Sequence, residues 1–234
     1  MSLLAHAITS APPAGPLGVG LRGRPLAWAE ADGVGLWSTD WDPAEQLGRG
    51  DALEHHGLVE RICAAQPCLP VRFGTAFASR EAAAASLARR GEGLRAALER
   101  VAGRTELAVT LLWRERTGSG SGLLEAPPDM PPGAGPGRRH LELERRREAR
   151  LRQRRARARE LADRLVAELA EEPRLVWHEI CTAEGVAVSL AVLVPSDRAL
   201  ERRSELEGLV SSFDDVVVVV NGPWPPYSFA EPAQ

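Results

Sequence analysis

The end of the chain constrains the fold more than any other segment. Residues 216–220 are five β-branched valines in succession, which predicts a buried strand. The segment that follows, 222–229, contains three prolines and three aromatic residues. Proline removes a backbone donor and fixes φ, so we expect this segment neither to continue a sheet nor to start a helix. It is too apolar for a solvated linker, and we expect it to dock as an extended strip on another part of the chain.

Length and composition are those of a soluble globular protein. The chain has 234 residues, enough for one large or two small domains, with 44% hydrophobic and 26% charged residues. The net charge of -3 gives no global field that favours nucleic acid or a membrane. All 29 basic residues are arginine. The absence of lysine excludes Schiff-base chemistry and a phosphate-loop lysine.

The cysteines and the N-terminus indicate an intracellular protein. Three cysteines are too few for a disulfide framework, and we expect Cys63 and Cys68 to be buried thiols. Residues 1–8 lack a basic n-region and predict a strand rather than a signal peptide. No segment approaches the roughly 18 apolar residues that would span a bilayer. We therefore expect a cytoplasmic protein in a reducing setting, with no membrane partner.

Residues 1–115 predict a modified ferredoxin-like domain, an antiparallel sheet with helices on one side. A hairpin is expected around Asp32-Gly33, a strong turn dipeptide. Asp51 is the expected N-cap of the first helix, and Gly91 and Gly93 are expected to break the second. The expected strands cover residues 3–8, 26–30, 34–38, 69–73 and 107–113, and the expected helices begin at Asp51 and Ser79.

A linker and a second domain complete the predicted α+β fold. Residues 116–137 are rich in Gly, Ser and Pro and predict a linker. Residues 138–234 then predict a long helix over 138–172, strands over 174–180 and 186–194, a short helix to about 211, and the final strand with its tail. The second half of the long helix has an apolar stripe and is expected to pack on a sheet.

Several patterns resemble catalytic or metal-binding motifs, but they lack the sequence context or the spacing that such motifs require. Residues 18–23 match G-x-G-x-x-G, but Arg24-Pro25 and a strand follow instead of a helix. His55, His56, Cys63 and Cys68 lack the spacing of a tetrahedral metal site. No G-x-S-x-G is present, although a cysteine paired in space with His178 stays open. We predict no enzyme, no catalytic residues, no metal and no cofactor.

The first half of the long helix is the strongest candidate surface from charge alone. Residues 138–159 carry 11 arginines against three glutamates. One face would present Arg146, Arg150, Arg154 and Arg157. An arginine-rich helix can pair with acidic protein surfaces, bind a phosphate backbone, or simply be solvated. A protein partner or a second copy of this chain is favoured over an inert face, and nucleic acid comes last.

Arg72 stands between Val71 and Phe73 in the expected strand 69–73. Alternation places Arg72 on the face opposite to the two apolar residues. Trp224 and Tyr227 of the tail are natural stacking partners for a guanidinium. We therefore expect the tail to pack near Arg72 and Phe73 and to act as a structural lock rather than a ligand site.

Two irregular motifs, at opposite ends of the chain, resemble the gas vesicle protein family GvpF/GvpL. The first is Leu69-Pro70-Val71-Arg72-Phe73-Gly74-Thr75-Ala76-Phe77, and the second is the tail. Two positions depart from the family pattern: Ala5-His6-Ala7 replaces an aromatic-glycine pattern, and His140-Leu141 stands where a tyrosine is usual. The residues that carry the family motif or its interactions are Pro70, Arg72, Phe73, Gly74, Gly222, Pro223, Trp224, Pro225, Pro226, Tyr227 and Phe229.

The resemblance implies a non-enzymatic role in building gas vesicles. Such a protein would be a minor shell-associated component or an assembly factor, located at the gas vesicle in the cytoplasm. Its partners would be the major shell protein and other accessory gas vesicle proteins. The alternative from another class is a nucleic-acid-binding module that uses the arginine-rich helix, but the strands lack the aromatic pattern on which RNA bases stack.

Overall fold

A computed structural model gives the fold. The structure describes residues 2–12, 15–114, 136–169, 175–181, 185–210 and 213–230. Contacts divide the chain into two compact units. The first contains Met1–Ala108, Ala191–Arg203 and Asn221–Gln234, and the second contains Val109–Leu190 and Ser204–Val220. The predicted linker falls almost entirely outside the described residues, so the predicted boundary between residues 1–115 and 138–234 stays a prediction.

Strands and helices are numbered here in chain order. The strands are β1 Ser2–Thr9, β2 Leu26–Ala31, β3 Val34–Trp41, β4 Cys68–Pro70, β5 Ala76–Phe77, β6 Arg104–Trp113, β7 Val176–Ile180, β8 Val186–Pro195 and β9 Val216–Trp224. The α-helices are α1 Arg49–Ala65, α2 Arg80–Val101, α3 Pro136–Leu169 and α4 Ala199–Val210. Among these residues, no helix is both long enough and apolar enough to cross a bilayer.

The first sheet is antiparallel and centred on β1. Its strand order is β2-β3-β1-β4, and β5 also pairs with β1. β2 and β3 form the predicted hairpin, in which Asp32 and Gly33 both have positive φ. Leu58 and Ile62 of α1 pack with Ala7 of β1 in the core beside this sheet. The apolar face of α1 thus fixes that helix against the central strand.

The second sheet has strand order β7-β8-β6-β9. Its elements follow the chain order β6, α3, β7, β8, α4 and β9, which is the ferredoxin-like arrangement of two split βαβ units. In the second half of α3, Ala158, Leu161, Ala162 and Leu165 are buried, as the predicted apolar stripe requires. The predicted fold class, α+β with antiparallel sheets and helices, is confirmed.

The predicted strand 69–73 is wrong beyond Pro70. β4 ends there, and the chain turns through Gly74, whose φ is +85°, before β5 begins. Glycine tolerates this positive φ, whereas a side chain would be strained. The predicted alternation of Val71, Arg72 and Phe73 across a strand is therefore wrong as well.

The predicted helix break at Gly91 and Gly93 is also wrong. α2 runs without interruption through both positions. Gly91 is buried because the hairpin turn packs on it: a Cβ at this position would collide with the carboxylate of Asp32. The glycine serves a close tertiary approach, which local propensity does not reveal.

Two further predictions in the first helix are corrected. Gly48 is the N-cap of α1, and Asp51 lies three residues later, where its Oδ2 accepts a hydrogen bond from the Gly48 N–H at 2.7 Å. Cys63 and Cys68 form a disulfide across a Cα separation of 5.2 Å rather than standing as free thiols. The end of α1 and the start of β4 bring them together.

The final strand differs from its prediction in two ways. β9 continues through Pro223 to Trp224, because an edge strand can accommodate a residue that lacks a donor. Val217 and Val219 are 43% and 37% exposed, since they alternate with the buried Val216 and Val220 and lie on the opposite face of β9. The expectation of a fully buried strand is therefore wrong for these two valines.

Candidate interaction site

The first family motif forms a tight turn that is hydrogen-bonded to β1. The Val71 N–H donates to the His6 carbonyl at 2.9 Å, and the Ala5 N–H donates to the Thr75 carbonyl at 2.9 Å. Within the turn, the Thr75 hydroxyl donates to the Arg72 carbonyl at 2.7 Å. The Arg72 side chain is exposed, and Phe73 is half-buried. The turn is held by its backbone, and Arg72 projects from it.

Behind this turn lies a chain of buried polar side chains. His6 and His55 are 0% and 1% exposed, and their Nδ1 atoms are 3.0 Å apart. His6 Nε2 lies 2.8 Å from Thr39 Oγ1, and His55 Nε2 lies 3.1 Å from the Val71 carbonyl oxygen. The chain therefore connects two strands of the first sheet, β1 and β3, and α1 to the motif turn.

Only one pattern of protons satisfies this chain when both imidazoles are neutral. The Val71 carbonyl can only accept, so His55 Nε2 carries the proton and His55 Nδ1 is the acceptor. His6 Nδ1–H must then donate to His55, which leaves His6 Nε2 to accept from the Thr39 hydroxyl. Thr39 Oγ1 in turn accepts the Leu21 N–H at 3.4 Å. Every hydrogen bond runs in one direction, from Leu21 to Val71.

Burial sets the charge state of the pair. Desolvation, together with the neighbouring His55, lowers the pKa of His6 to about 3. Desolvation is also the main cause that lowers the pKa of His55, against its hydrogen bond to the Val71 carbonyl. Both imidazoles are thus neutral near pH 7, as the hydrogen-bond directions require. The edge of the Phe73 ring packs on His55 at a centroid distance of 5.4 Å.

The tail is anchored on β6 and α2. The buried Glu106 carboxylate accepts two hydrogen bonds from Ser228, from its N–H at 2.8 Å and from its hydroxyl at 2.9 Å. Arg100 donates to the Phe229 carbonyl at 2.8 Å, and the Phe229 side chain is 4% exposed. Burial raises the pKa of the Glu106 carboxyl group, and the two hydrogen bonds from Ser228 oppose that rise. Docking of the tail thus depends on a buried acid that the sequence does not single out.

Gly222 allows this docking because the backbone approaches β6 closely. Its φ is +118°, and a Cβ there would lie 2.8 Å from the Glu106 carbonyl oxygen. The peptide bond that follows, Gly222-Pro223, is cis. Arg203 donates to the Gly222 carbonyl at 3.1 Å. The glycine of the second motif is therefore required by sterics.

The aromatic residues of the tail contact His56 of α1. The His56 ring lies 5.6 Å from the Trp224 ring and 6.1 Å from the Tyr227 ring, centroid to centroid. The predicted stacking of these rings on Arg72 is wrong, because His56 takes that place and the Arg72 guanidinium is exposed. Desolvation, with nearby Glu60 and Glu106, raises the pKa of Tyr227 to about 12.

This contact leaves an apolar patch at the surface. Trp224 is 39% exposed, and Leu53, one turn before His56 on α1, is 68% exposed. Leu53, His56, Trp224 and Tyr227 are called the tail patch below. Leu53 and Trp224 both neighbour His56, the one along α1 and the other through a ring contact, and exposed apolar side chains that cluster can mark a protein contact.

A cleft lies on the other side of the motif turn. It has a volume of about 350 Å³ and is lined mainly by apolar residues, among them Leu4, Trp41, Leu47, Gly74 and Phe77. The Arg22 and Arg24 guanidinium groups both lie 5.0 Å from the centroid of the Trp41 ring. Arg22 is held in turn by Glu45 at 2.8 Å and Asp51 at 2.7 Å. Charged side chains thus lie beside the apolar residues that line the cleft.

The predicted basic face of α3 is largely engaged within the chain. Arg157 donates to Asp215 at 2.8 Å and to Glu160 at 2.9 Å. Arg154 lies over Trp113 at 5.9 Å, and Arg146 pairs with Glu142 at 3.3 Å. Whether Arg146, Arg150, Arg154 and Arg157 bind a partner stays a prediction.

Sequence reasoning missed the buried polar residues that hold both motifs. From the sequence, His6 stands out only as a departure from the family pattern, His55 is named only among residues without metal-site spacing, and Glu106 is not selected. The one available signal was a histidine flanked by alanines inside an apolar strand, at Ala5-His6-Ala7. Within the described residues, no group of three or more His, Cys, Asp or Glu side chains is placed to hold a metal ion.

Comparison with known proteins identifies the family. The family described as gas vesicle synthesis protein GvpL/GvpF matches residues 3–231. The fold is similar to that of the gas vesicle protein GvpF from Anabaena sp. PCC7120, with a TM-score of 0.72 and 19% identity over 100% of this chain and 97% of that one. GvpF from Microcystis aeruginosa is similar, with a TM-score of 0.70 and 16% identity over 98% of this chain and 99% of that one.

No curated protein matches the chain. The two crystal structures show that the fold is shared, and the family match extends across both motifs and nearly all residues between the termini. The resemblance inferred from the motifs is therefore confirmed, and the chain belongs to the gas vesicle GvpL/GvpF family.

Proposed function

We propose that this protein acts without catalysis in gas vesicle assembly, by binding the major shell protein and other accessory gas vesicle proteins. The observation that carries the proposal is the family match over residues 3–231, to a family described as gas vesicle synthesis proteins. The protein works at the gas vesicle in the cytoplasm. It contributes binding surfaces, and its buried polar groups hold those surfaces in place.

The tail patch is the surface that we assign to a protein partner. Its apolar residues are held at one end by His56 and at the other by the anchored Ser228 and Phe229, so that little ordering is needed on binding. Tryptophan and tyrosine supply much contact area at a low cost in conformational entropy. The patch is thus preorganised, and its exposed Leu53 and Trp224 offer apolar anchors.

Co-purification with the shell protein tests this assignment. We would co-express the affinity-tagged protein with the major shell protein and measure the amount retained. Leu53→Ser and Trp224→Ala should each reduce retention severalfold, because they remove the exposed apolar anchors. Leu200→Ser is the matched control, since Leu200 is an equally exposed leucine, at 74%, on α4.

The possible outcomes distinguish a failure of the tail-patch assignment from a failure of the proposed function. Equal loss in the Leu200→Ser control would show that any exposed leucine contributes and would overturn the tail patch. No retention of the shell protein by the wild-type chain would contradict the proposed function itself. Circular dichroism of each variant verifies that the loss does not follow from unfolding.

A further inference from the structure

The first half of α3 stands clear of the rest of its unit. α3 has 34 residues, which corresponds to about 50 Å at 1.5 Å per residue. Between residues 144 and 156, every side chain is exposed, and burial begins at Ala158. A helix that is polar on all sides is stabilised by its own i,i+4 ion pairs or bridges to another domain.

The arginines of this half fall into two groups. Those on one side are engaged within the chain, as Arg146, Arg154 and Arg157 show. The second group follows heptad and i+3 or i+4 spacing, which keeps its members on one side of a helix. We call it the outer stripe; it consists of Arg138, Arg145, Arg152, Arg155 and Arg159, with Leu141 and Glu148 between them.

The outer stripe is exposed along its whole length. All five arginines are exposed, and Leu141 is 59% exposed. Within the described part of the chain, Arg145, Arg155 and Arg159 have no carboxylate within ion-pair distance. Arg152 reaches Glu148 only at 3.7 Å, and these two side chains are 74% and 68% exposed. A loose surface pair of this kind contributes little and is readily exchanged.

We infer that the outer stripe binds an acidic helix of a protein partner, with carboxylates at heptad spacing that pair with Arg138, Arg145, Arg152 and Arg159. Charge complementarity selects the occupant. A second copy would bring arginine against arginine, which is repulsive. A phosphate backbone would pair with the guanidinium groups but gain nothing from Leu141. An acidic helix instead offers planar carboxylates for the guanidinium forks and an apolar contact for the leucine.

This inference extends the proposed function, since the partner would be one of the accessory proteins, but its test is independent. The probe is a synthetic helical peptide of about 21 residues, long enough to be helical, with glutamate along one side and alanine and glutamine elsewhere. Binding to the full-length protein is measured by fluorescence anisotropy at about 0.15 M salt, where exposed charges are substantially screened. A short DNA duplex is measured in parallel.

Two triple variants of equal charge make the comparison. R145Q/R152Q/R159Q removes three of the arginines that the inference pairs with carboxylates, and R146Q/R147Q/R150Q removes three arginines from the other side of the same helix. We expect the first to weaken peptide binding about tenfold, the factor expected from losing three exposed ion pairs. The second should change it by less than about twofold. Circular dichroism verifies that α3 stays helical in both.

Each other outcome overturns the inference. Equal weakening by both variants would show that only net charge matters. Binding of the duplex but not of the peptide would show a nucleic-acid surface instead. No binding of either probe by the wild-type protein would show a solvated helix. Because these results do not depend on shell-protein retention, the inference and the proposed function can fail separately.

Discussion

At the level of single residues, His6 and His55 couple the core of the first sheet to the turn of the first motif. Their hydrogen bonds run in one direction and end on the Val71 carbonyl. A proton added to His55 would turn its Nδ1 acceptor into a donor that faces the His6 Nδ1–H, and a proton added to His6 would remove the acceptor of the Thr39 hydroxyl. The chain is satisfied only while both rings are neutral.

Stability should therefore fall with acid in a defined range. The folded-state pKa values of both histidines lie below 6.5, the value for an unperturbed side chain. The neutral pair contributes stability that is present above that pH and is lost as pH falls, by about 1.4 kcal/mol per pH unit for each proton taken up on unfolding. Urea unfolding at pH values between about 7 and 4.5 measures this slope.

Two histidine variants test whether the buried pair causes this dependence of stability on pH. His55→Gln removes a buried imidazole and should flatten the slope by about one proton, whatever it costs in absolute stability. His178→Gln removes an exposed histidine of β7 and should leave the slope unchanged. An unchanged slope in His55→Gln would contradict the neutral buried pair.

Residues of the tail should differ in what they contribute to stability. Phe229 is 4% exposed, and Phe229→Ala should lower the free energy of unfolding by about 3–5 kcal/mol. Trp224 is 39% exposed, and Trp224→Ala should cost only about 1–2 kcal/mol, since much of the ring stays in water. Denaturant unfolding of both variants measures the difference. A larger cost for Trp224→Ala would mean that the tryptophan is a structural lock and not part of a binding surface.

Among the elements, α2 shows how a tertiary contact overrides local propensity. Alanine is preferred over glycine inside a helix by about 0.5–1 kcal/mol. Gly91→Ala should nevertheless bring no gain in stability, because the new Cβ would displace the Asp32 carboxylate, which pairs with Arg95 at 3.2 Å.

Gly57→Ala is the matched control for this substitution. At Gly57 of α1, the nearest atom to a Cβ is a flexible arginine tip at 4.0 Å, so the change should stabilise by about 0.5–1 kcal/mol. A rise in melting temperature for Gly57→Ala but not for Gly91→Ala would agree with this account. A rise in the melting temperature of both variants would show that the Asp32 side chain moves aside at little cost.

Elements that depend on local pattern could be predicted from the sequence. The Asp32-Gly33 hairpin and the apolar stripe of α3 follow from turn chemistry and periodicity alone. Continuity of α2 through Gly91 could not be predicted, since the reason lies 59 residues away in Asp32. The passage of β9 through Pro223 depends on its place at the edge of a sheet, which is a property of the assembled fold.

The candidate site also has some features that could be predicted from the sequence and others that could not. The two motifs indicated the family that the comparison confirms, because irregular proline and glycine patterns are specific, and the roles of their individual residues stay a prediction. The buried residues that hold the motifs in place could not be selected from the sequence. His55 and Glu106 are recognised only from their contacts with Val71 and Ser228 in the folded chain. The outer stripe of α3 could be separated from the predicted basic face only after Arg154 and Arg157 were placed against Trp113 and Asp215.

On the scale of the whole molecule, the two ends of the chain meet in one compact unit. Asn221–Gln234 belongs to the same unit as Met1–Ala108. The two family motifs are therefore parts of one unit, although nearly 150 residues separate them in sequence. This arrangement gives the family pattern a physical basis, since the residues of both motifs are held within the same unit.

Deletion of the gene tests the central claim, a role in gas vesicle assembly, most directly. The measurement is electron microscopy of gas vesicles in the deletion strain and in the strain complemented with the wild-type gene, with shell-protein transcripts quantified in both. We expect vesicles to be absent or deformed at unchanged transcript levels, and to be restored by complementation. Normal vesicles in the deletion strain, where no other family member is encoded, would contradict the account.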